Sequence, residues 1–496
     1  MEDGETAGRL RSNRDFMVVL CGQGVSEFGD AVSLTVLPLL VLHLTGSGAL
    51  VGLVAALQLL PDLAFGLFAG AFADRWDRRR MMLAADVGRA LLVAAIPAAY
   101  WSGLPTMTVL LLVLVPISCL RVVWAAGFTS AIPGLVGPDL LGKANSVLES
   151  TFSVGYLLGP VLGGVLVATI GPAQTLVFDA ASFAVSAGAL TLVRRRLRAE
   201  RDEEDSAPIL HEIREGLSYV LKHPMLRMLI GYWGAISLAT AGLVPMLSYY
   251  ITVDLHQGPA LFGLLGSVWS GGYLAGSLLA GRLAEGNTGP RMVASGLLIA
   301  VCIAAIAATS YPAVYLLAGF VIGAALAVML VLYATTRSSL TPDRLRGRVG
   351  STARTLSLGL QPLALIGAGS LVAATDGRAT LLVMAALAGV ASLLFVRPML
   401  RATAAATAAA TAAATPAATA AATPAETAAA TPAETAGATP AATPEGTAPA
   451  QGTPYPSAEA QPGDPSAITN AYPNYGTPVD CEAGTWNGLP YEGNLK

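Results

Sequence analysis

The sequence carries little charge for its length. Of its 496 residues, 12% are Asp, Glu, Lys or Arg, whereas about a quarter is usual in a soluble protein. Hydrophobic residues account for 54%, and the mean hydropathy is +0.61. This composition excludes an ordinary soluble globular protein and favours a chain that lies mostly within a membrane.

Cysteine and the common catalytic motifs are equally scarce. The four cysteines, Cys21, Cys119, Cys302 and Cys481, lie too far apart for a disulfide framework or a metal-binding spacing. The sequence has no phosphate-binding GxxxxGKS loop and no nucleophile elbow. We therefore expect no metal, no nucleotide cofactor and no nucleic-acid partner.

Long apolar runs dominate the chain instead. Runs of about 18 residues or more are long enough to cross the bilayer core. The first run is too long for a cleaved signal peptide, so we expect it to be retained. The runs predict twelve membrane-spanning helices, near 16–43, 48–73, 81–101, 106–127, 144–169, 173–193, 225–253, 260–283, 291–310, 312–336, 350–374 and 378–398.

The basic residues are distributed unevenly over the two sides of this arrangement. With the N-terminus inside, the inner side receives nearly all of them, including the cluster at 75–80 and the run at 194–201, while the outer side receives Arg378. Lys and Arg accumulate in cytoplasmic loops. The sequence therefore predicts a multi-pass protein of the cell membrane with both termini in the cytoplasm.

Two internal similarities divide the chain into halves. The segment IPGLVGPDLLGKANS at Ile132–Ser146 resembles SLTPDRLRGRVGS at Ser339–Ser351, and the spacing of Gly70 and Asp74 recurs at Gly281 and Glu285. Repeats of this kind place a substrate site between the halves. We predict an all-α membrane protein with two pseudo-symmetric six-helix bundles.

The predicted domain boundaries follow from this duplication and from composition. They are a cytoplasmic N-terminus at 1–15, bundles at 16–193 and 225–400, a linker at 194–224 and a tail at 401–496. Apolar residues at helical spacing in the linker predict an amphipathic helix on the inner membrane surface. Frequent prolines in the Ala/Thr/Pro-rich tail predict disorder.

A dense charged turn, GAFADRWDRRR, separates the second and third predicted helices. A small residue lets helices approach closely, and an acid and arginines at helix ends can bind neighbouring helix termini and carbonyls. We predict a gating lock; the alternative is a loop whose arginines only set orientation. The candidate residues of this gating loop are Gly70, Asp74, Arg75, Arg78 and Arg79.

The fifth predicted helix contains the glycine-rich segment GYLLGPVLGG. Glycines expose a groove for close packing, and a proline removes one backbone hydrogen bond so that the helix can bend. The alternative is ordinary packing of small residues. The motif residues are Gly155, Gly159, Pro160, Gly163 and Gly164.

The charged turn and the glycine-rich segment resemble signature motifs of the major facilitator superfamily of secondary transporters and of its antiporters. The phrases LTGSGALVG and ADRWDRRRMMLAADVGRALL are similar to the drug:proton antiporter branch that contains macrolide efflux proteins and the enterobactin exporter. The resemblance implies a proton-driven exporter of an amphipathic small molecule, working by alternating access, and not an enzyme. Its partners would be the substrate, protons and the bilayer, with no cofactor beyond the proton gradient, and it would act as a monomer.

Ionisable residues inside the predicted helices are the candidates for proton coupling. Glu27 and Asp30 share one face of the first helix, and Asp62 interrupts the second. Such residues are costly in a membrane and mark ion or proton paths. Arg121 resembles the fourth-helix arginine of the drug:proton antiporters and is a possible counter-charge of Asp30. The alternative for Asp30 is a structural acid at a helix irregularity near Gly29.

Aromatic residues suggest walls for a hydrophobic substrate. Trp233 and Trp269, in the seventh and eighth predicted helices, are candidates for the substrate cavity, together with Glu149 in the fifth helix. Trp and Tyr also populate the interfacial belts of membrane proteins. The aromatic pattern alone does not separate these interpretations.

Two other functions fit the same sequence. An uptake permease of the same fold would move its substrate in the opposite direction. A transport-inactive sensor or scaffold would bind a partner through the tail.

Overall fold

The computed structural model describes residues 10, 12–73, 76–194, 209–283 and 288–422. Asp74 and Arg75 of the predicted gating loop lie outside the described residues. The same holds for the predicted linker between 195 and 208 and for the predicted tail after Ala422.

Six helices form the first half of the chain. The first begins where the Asn13 side chain accepts a hydrogen bond from the Phe16 amide, at 3.1 Å, and it ends at Gly46, whose φ of 64° is the left-handed conformation that glycine adopts easily. The helices are α1 (Arg14–Thr45), α2 (Gly48–Ala73), α3 (Arg78–Trp101), α4 (Thr106–Val136), α5 (Leu141–Ile170) and α6 (Pro172–Leu192).

A short amphipathic helix, α7 (Ile209–Lys222), precedes the second half. Its Glu215 carboxylate pairs with Arg344 and Arg348, and Tyr219 donates a hydrogen bond of 3.0 Å to the Leu340 carbonyl. The helices that follow are α8 (Pro224–Thr240), α9 (Leu243–Tyr249), α10 (Pro259–Leu283), α11 (Thr288–Ala308), α12 (Pro312–Ser339), α13 (Arg346–Leu358), α14 (Gln361–Ala374) and α15 (Gly377–Ala422).

Twelve membrane spans result, because α8 with α9, and α13 with α14, each form one span. Eleven of them are apolar enough to be recognised by length and hydropathy within the described residues. The twelfth, α10, is less hydrophobic because its 25 residues include six glycines and three serines. The predicted all-α, twelve-helix architecture is confirmed.

Three predicted boundaries differ from the structure. The predicted helix at 225–253 is broken after Thr240 and ends in a π-helical turn at Tyr250–Asp254. The predicted helix at 350–374 is broken at Gly359, shortly before Pro362. A proline cannot donate a helical hydrogen bond. The last helix continues to Ala422, beyond the predicted tail boundary at 401, because alanine is the strongest helix former.

The two halves have corresponding local structure. Each connection between the fourth and fifth spans of a half contains a 3₁₀ turn, at Pro138–Leu140 in the first half and Asp343–Leu345 in the second. These turns fall on the Pro-Asp-containing segments that resemble each other in sequence. The local geometry is that of a duplicated six-helix unit.

The halves meet through glycines. A Cβ atom on Gly52 of α2 would lie 2.9 Å from the Gly369 Cα of α14, and one on Gly164 of α5 would lie 2.9 Å from the Gly263 Cα of α10. All four glycines lie toward the helix ends opposite to the side on which α1 begins. On that beginning side, a Cβ on Gly142 or Gly347 would meet nothing within 4 Å. The bundles are therefore in backbone contact toward one membrane face, and on the other side Gly142 and Gly347 make no such contact.

Gly52→Leu tests this closure. The Cβ alone would lie 2.5 Å from the Leu365 carbonyl oxygen, so the leucine should force the closed ends apart. Overpacking costs about 1–3 kcal/mol, and about 1.4 kcal/mol changes a conformational population tenfold.

Distances between spin labels at the far ends of α2 and α14 should lengthen in this variant. The control is Gly347→Leu, which has open space and should keep the wild-type distances. Identical distance distributions in Gly52→Leu and wild type would contradict the proposed tight contact.

Candidate functional site

A partly exposed ion pair lies in the first bundle. Arg121 of α4 donates a hydrogen bond to the Asp62 carboxylate of α2, and their side chains are 44% and 26% exposed. Glu149 of α5 is also exposed. The membrane-spanning helices of the first bundle therefore carry exposed charges of both signs, and unpaired charges inside a membrane are costly.

A second ion pair lies deeper, inside the first bundle. Arg89 Nη2 of α3 donates to Asp30 Oδ2 of α1 at 2.9 Å, and the Arg89 side chain is 3% exposed. Its guanidinium lies 3.8 Å from the centre of the Phe183 ring of α6. Asp30 remains 30% exposed, so this pair joins a partly exposed acid to an enclosed arginine.

Two further acids surround this pair. Asp86 is fully buried and accepts hydrogen bonds from Ser186 Oγ at 2.7 Å and Trp124 Nε1 at 3.2 Å. Asp179 is 3% exposed, and Ser33 Oγ donates to it at 2.5 Å. We call Asp30, Asp86, Arg89 and Asp179 the buried cluster.

Sequence reasoning missed Asp179. The signal that could have found it is the spacing of Asp179, Ser182 and Ser186, which places three polar residues on one face of an otherwise apolar helix. That face meets α1, where a Cβ on Gly29 would lie 2.7 Å from Asp179 Oδ1. Gly29 therefore makes room for the acid.

Two expectations about Asp30 need correction. Its counter-charge is Arg89, because Arg121 lies on α4 next to α2 and reaches Asp62 instead. There is no helix irregularity near Gly29, since α1 is continuous from Arg14 to Thr45. Glu27 accepts a hydrogen bond of 2.8 Å from Gln23 Nε2, one turn earlier on the same helix.

The arginines of the gating loop bind carbonyls at neighbouring helix ends. Arg79 donates to the carbonyls of Leu190 at 2.8 Å and Thr191 at 2.6 Å, near the end of α6, and Arg78 donates to the Ser130 carbonyl at 2.7 Å. Such bonds satisfy the unpaired carbonyls of a helix end and suit its negative dipole.

Asp77, in the same turn, caps α3. Its carboxylate accepts a hydrogen bond of 3.0 Å from the Arg80 amide. Gly70 lies within α2. Asp74 and Arg75 lie outside the described residues, so the gating role of these two residues stays a prediction.

The glycine-rich motif of α5 faces two helices. A Cβ on Gly159 would lie 2.6 Å from the Ala31 Cβ of α1, and Gly155 and Gly163 face the same helix. Pro160 and Gly164 face α10 in the other bundle, where a Cβ on Gly263 would lie 2.3 Å from the Pro160 carbonyl oxygen. The motif therefore joins packing within the first bundle to contact between the bundles.

The two predicted tryptophans of the substrate cavity belong to the second bundle and are half-buried. Trp233 stacks on Tyr333 with ring centres 5.2 Å apart. Trp269 follows the interface segment of α10 and lies against α12 at Gly323. Each tryptophan thus keeps part of its ring surface exposed, as a residue of a cavity wall would.

The sequence profile of the Major Facilitator Superfamily matches residues 19–244 and 234–432. The fold resembles that of the nucleoside transporter NupG, with a TM-score of 0.66 at 13% identity over 77% of this chain and 99% of that one. It also resembles a bacterial homologue of the iron transporter ferroportin, with a TM-score of 0.62 at 17% identity over 78% and 98%.

The chain belongs to the Major Facilitator Superfamily, and it is therefore a multi-pass membrane transporter of small molecules. It is 30% identical to the multidrug efflux pump Tap of Mycolicibacterium fortuitum over 381 residues, 74% of this chain and 91% of that protein. It is 23% identical to macrolide efflux protein A of Streptococcus pyogenes over 284 residues, 54% and 66% of the two chains. The resemblance inferred from the motifs is confirmed.

The two ion pairs should contribute differently to stability. Arg89→Ala leaves buried carboxylates without their cation, which costs about 3–5 kcal/mol of unfolding free energy. Arg121→Ala should cost less than Arg89→Ala, because the side chains of that pair are 44% and 26% exposed, against 3% for Arg89.

Thermal unfolding in detergent, followed by labelling of the buried thiol of Cys302, measures this difference. Arg121→Ala serves as the matched control for Arg89→Ala. Equal losses of stability would contradict the assignment of one pair to the core and the other to the cleft.

Proposed function

We propose that the protein exports amphipathic small molecules from the cell by proton antiport and alternating access. It acts as a monomer with both termini in the cytoplasm. The substrate enters the cleft between the bundles, and protons move inward as the substrate leaves.

Export is favoured by the relatives. The multidrug efflux pump Tap and macrolide efflux protein A are named for efflux, and the former aligns with most of this chain. The glycine-rich α5 segment resembles the antiporter motif and lies at the contact between the halves. This position suits a device that keeps the two bundles together while they rotate.

The single observation that carries proton coupling is the position of Asp30. It is a carboxylate inside a membrane-spanning helix, it pairs with a buried arginine, and it is still 30% exposed. An acid with access to water and a competing cation can gain and lose a proton without leaving the membrane.

The orientation follows from the basic residues. Loops on the side where α1 begins carry the clusters at 78–80 and 344–348, which the positive-inside rule assigns to the cytoplasm. The cleft then opens inward, ready to take its substrate from the cytoplasm or the inner leaflet. Asp74 and Arg75 are proposed to lock this face when the cleft opens outward.

The test uses inside-out membrane vesicles energised with an acidic interior and a panel of macrolides, siderophores and cationic dyes. Vesicles with the protein should accumulate at least one compound, and dissipating the pH gradient should abolish this uptake. Proton-dependent accumulation in intact cells would instead indicate an uptake permease.

Asp30→Asn mimics a permanently protonated acid. Exchange of substrate across the membrane should continue, while uphill transport driven by a pH gradient should be lost. Counterflow and gradient-driven transport in proteoliposomes separate the two activities.

The matched control for Asp30→Asn is Asp376→Asn, an exposed acid at the start of α15. This variant should keep both activities. Full pH-driven transport by Asp30→Asn would assign coupling to another acid, Glu27 or Asp62.

Deleting residues 423–496 tests the scaffold alternative. All twelve spans lie before this cut, so the shortened protein should transport at the wild-type rate per molecule. Transport is measured in the same vesicles after normalising for the amount of protein. A full-length protein that transports nothing but binds a partner through these residues would favour the scaffold.

A further inference from the structure

The buried cluster holds more acids than cations. Asp30, Asp86 and Asp179 are the acids, and Arg89 is the one cation that the described residues bring into contact with them. Arg89 can compensate one negative charge. Two uncompensated carboxylates in an apolar core are strongly disfavoured, so the cluster must bind protons.

The contacts of each acid indicate where a proton resides. Asp30 is held by the guanidinium at 2.9 Å. Asp86 Oδ2 accepts hydrogen bonds from two neutral donors. Asp86 Oδ1 lies 4.0 Å from Arg89 Nη1. This oxygen is fully buried and accepts no hydrogen bond from the described residues. These contacts make Asp30 the acid that Arg89 compensates, while Asp86 depends mainly on two neutral donors.

Asp179 has no contact with a cation in the described residues. Its partners are the hydroxyls of Ser33 and Ser182, and a hydroxyl serves a protonated acid as well as a carboxylate because it both donates and accepts. Its side chain is enclosed between α1 and α6 beside Gly29. This environment suits the neutral form.

Arg89 is placed to serve either acid. Its guanidinium stacks on Phe183, which is one helical turn from Asp179 on the same face of α6. A rotation of the arginine side chain over that ring would exchange Asp30 for Asp179 as its partner. The two acids lie on helices that meet at Gly29.

The surroundings of Asp179 contain few other titratable groups. The groups that face it are Asp30 of α1 and Arg89 of α3, with Asp86 one turn away from Arg89. The third helix that packs on α6 is α5, and its residues 157–170 include no ionisable side chain. Glu27 of α1 lies one turn beyond Asp30, toward the open end of the cleft.

We infer that Asp179 is a second proton-binding site, occupied while Arg89 is paired with Asp30. When Arg89 moves to Asp179, the O–H bond of Asp179 breaks and its proton is transferred to the Asp30 carboxylate, which is 30% exposed and forms the new O–H bond. The number of protons and the charge of the cluster stay constant in this exchange. The inference rests on the proposed proton antiport and adds the residue that stores the proton away from water.

Infrared spectroscopy of the full-length protein in detergent tests occupancy directly, without transport. Protonated carboxyl groups have a separate C=O stretching band, and Asp179→Asn should remove one such band at neutral pH. Asp376→Asn should remove none, since that acid is exposed to solvent.

A second variant tests the inference even if Asp179→Asn does not fold. Ser33→Ala keeps Asp179 but removes its hydroxyl partner, so the band should shift in frequency. Ser295→Ala, a buried serine of the other bundle, is the matched control and should leave the band in place. An unchanged set of bands in both Asp179→Asn and Ser33→Ala would overturn the inference.

Transport measurements then separate this inference from the proposed function. With ethidium as the probe, Asp179→Asn should lose pH-driven uptake into proteoliposomes and keep exchange. If the wild type shows no pH-driven transport, the proposed antiport fails, whereas the infrared bands still decide whether Asp179 binds a proton. A band that responds to Na⁺ at constant pH, or full pH-driven uptake by Asp179→Asn, would overturn the assignment of a proton site.

Discussion

A bilayer supplies no hydrophobic force that drives one apolar helix against another. Association inside the membrane therefore depends on close packing and on a few polar contacts. In this protein the contact between the bundles depends on backbones that touch at glycines, Gly52 against Gly369 and Gly164 against Gly263. Such contacts are individually weak and involve no charged group. The halves can therefore separate at one face without leaving a buried ion unpaired.

The polar contacts are concentrated in the first bundle. Arg89 and the three aspartates around it link α1, α3 and α6 through ion pairs and serine hydroxyls. The core of the second bundle is neutral by comparison; for example, Tyr232 shares a hydrogen bond with Ser392 at 3.0 Å. The two halves of the duplicated fold thus differ in chemistry, with buried charge in the first and, among the described residues of the second, a buried core of apolar, aromatic and hydroxyl side chains.

The charged side chains inside the first bundle differ in their exposure. Arg121 and Asp62 are partly exposed, whereas Arg89 is enclosed. Asp30 is partly exposed and also pairs with the enclosed Arg89. An acid at such a boundary can respond both to a bound substrate and to the core. This physical arrangement is what the proposed coupling between substrate and proton requires.

The sequence by itself determined the membrane class, the twelve spans, the two halves and the family, because hydropathy and turn motifs act locally along the chain. It also located Glu27, Asp30, Asp62 and Arg121 as charges inside the membrane. Only the tertiary structure decided which acid meets which arginine. Arg89 with Asp30 and Arg121 with Asp62 are both separated by 59 residues. The rotation and depth of each packed helix determine which of these partners meet. Local sequence patterns specify neither the rotation nor the depth. Asp179 was missed for the same reason: its importance lies in what α1 and α3 place beside it.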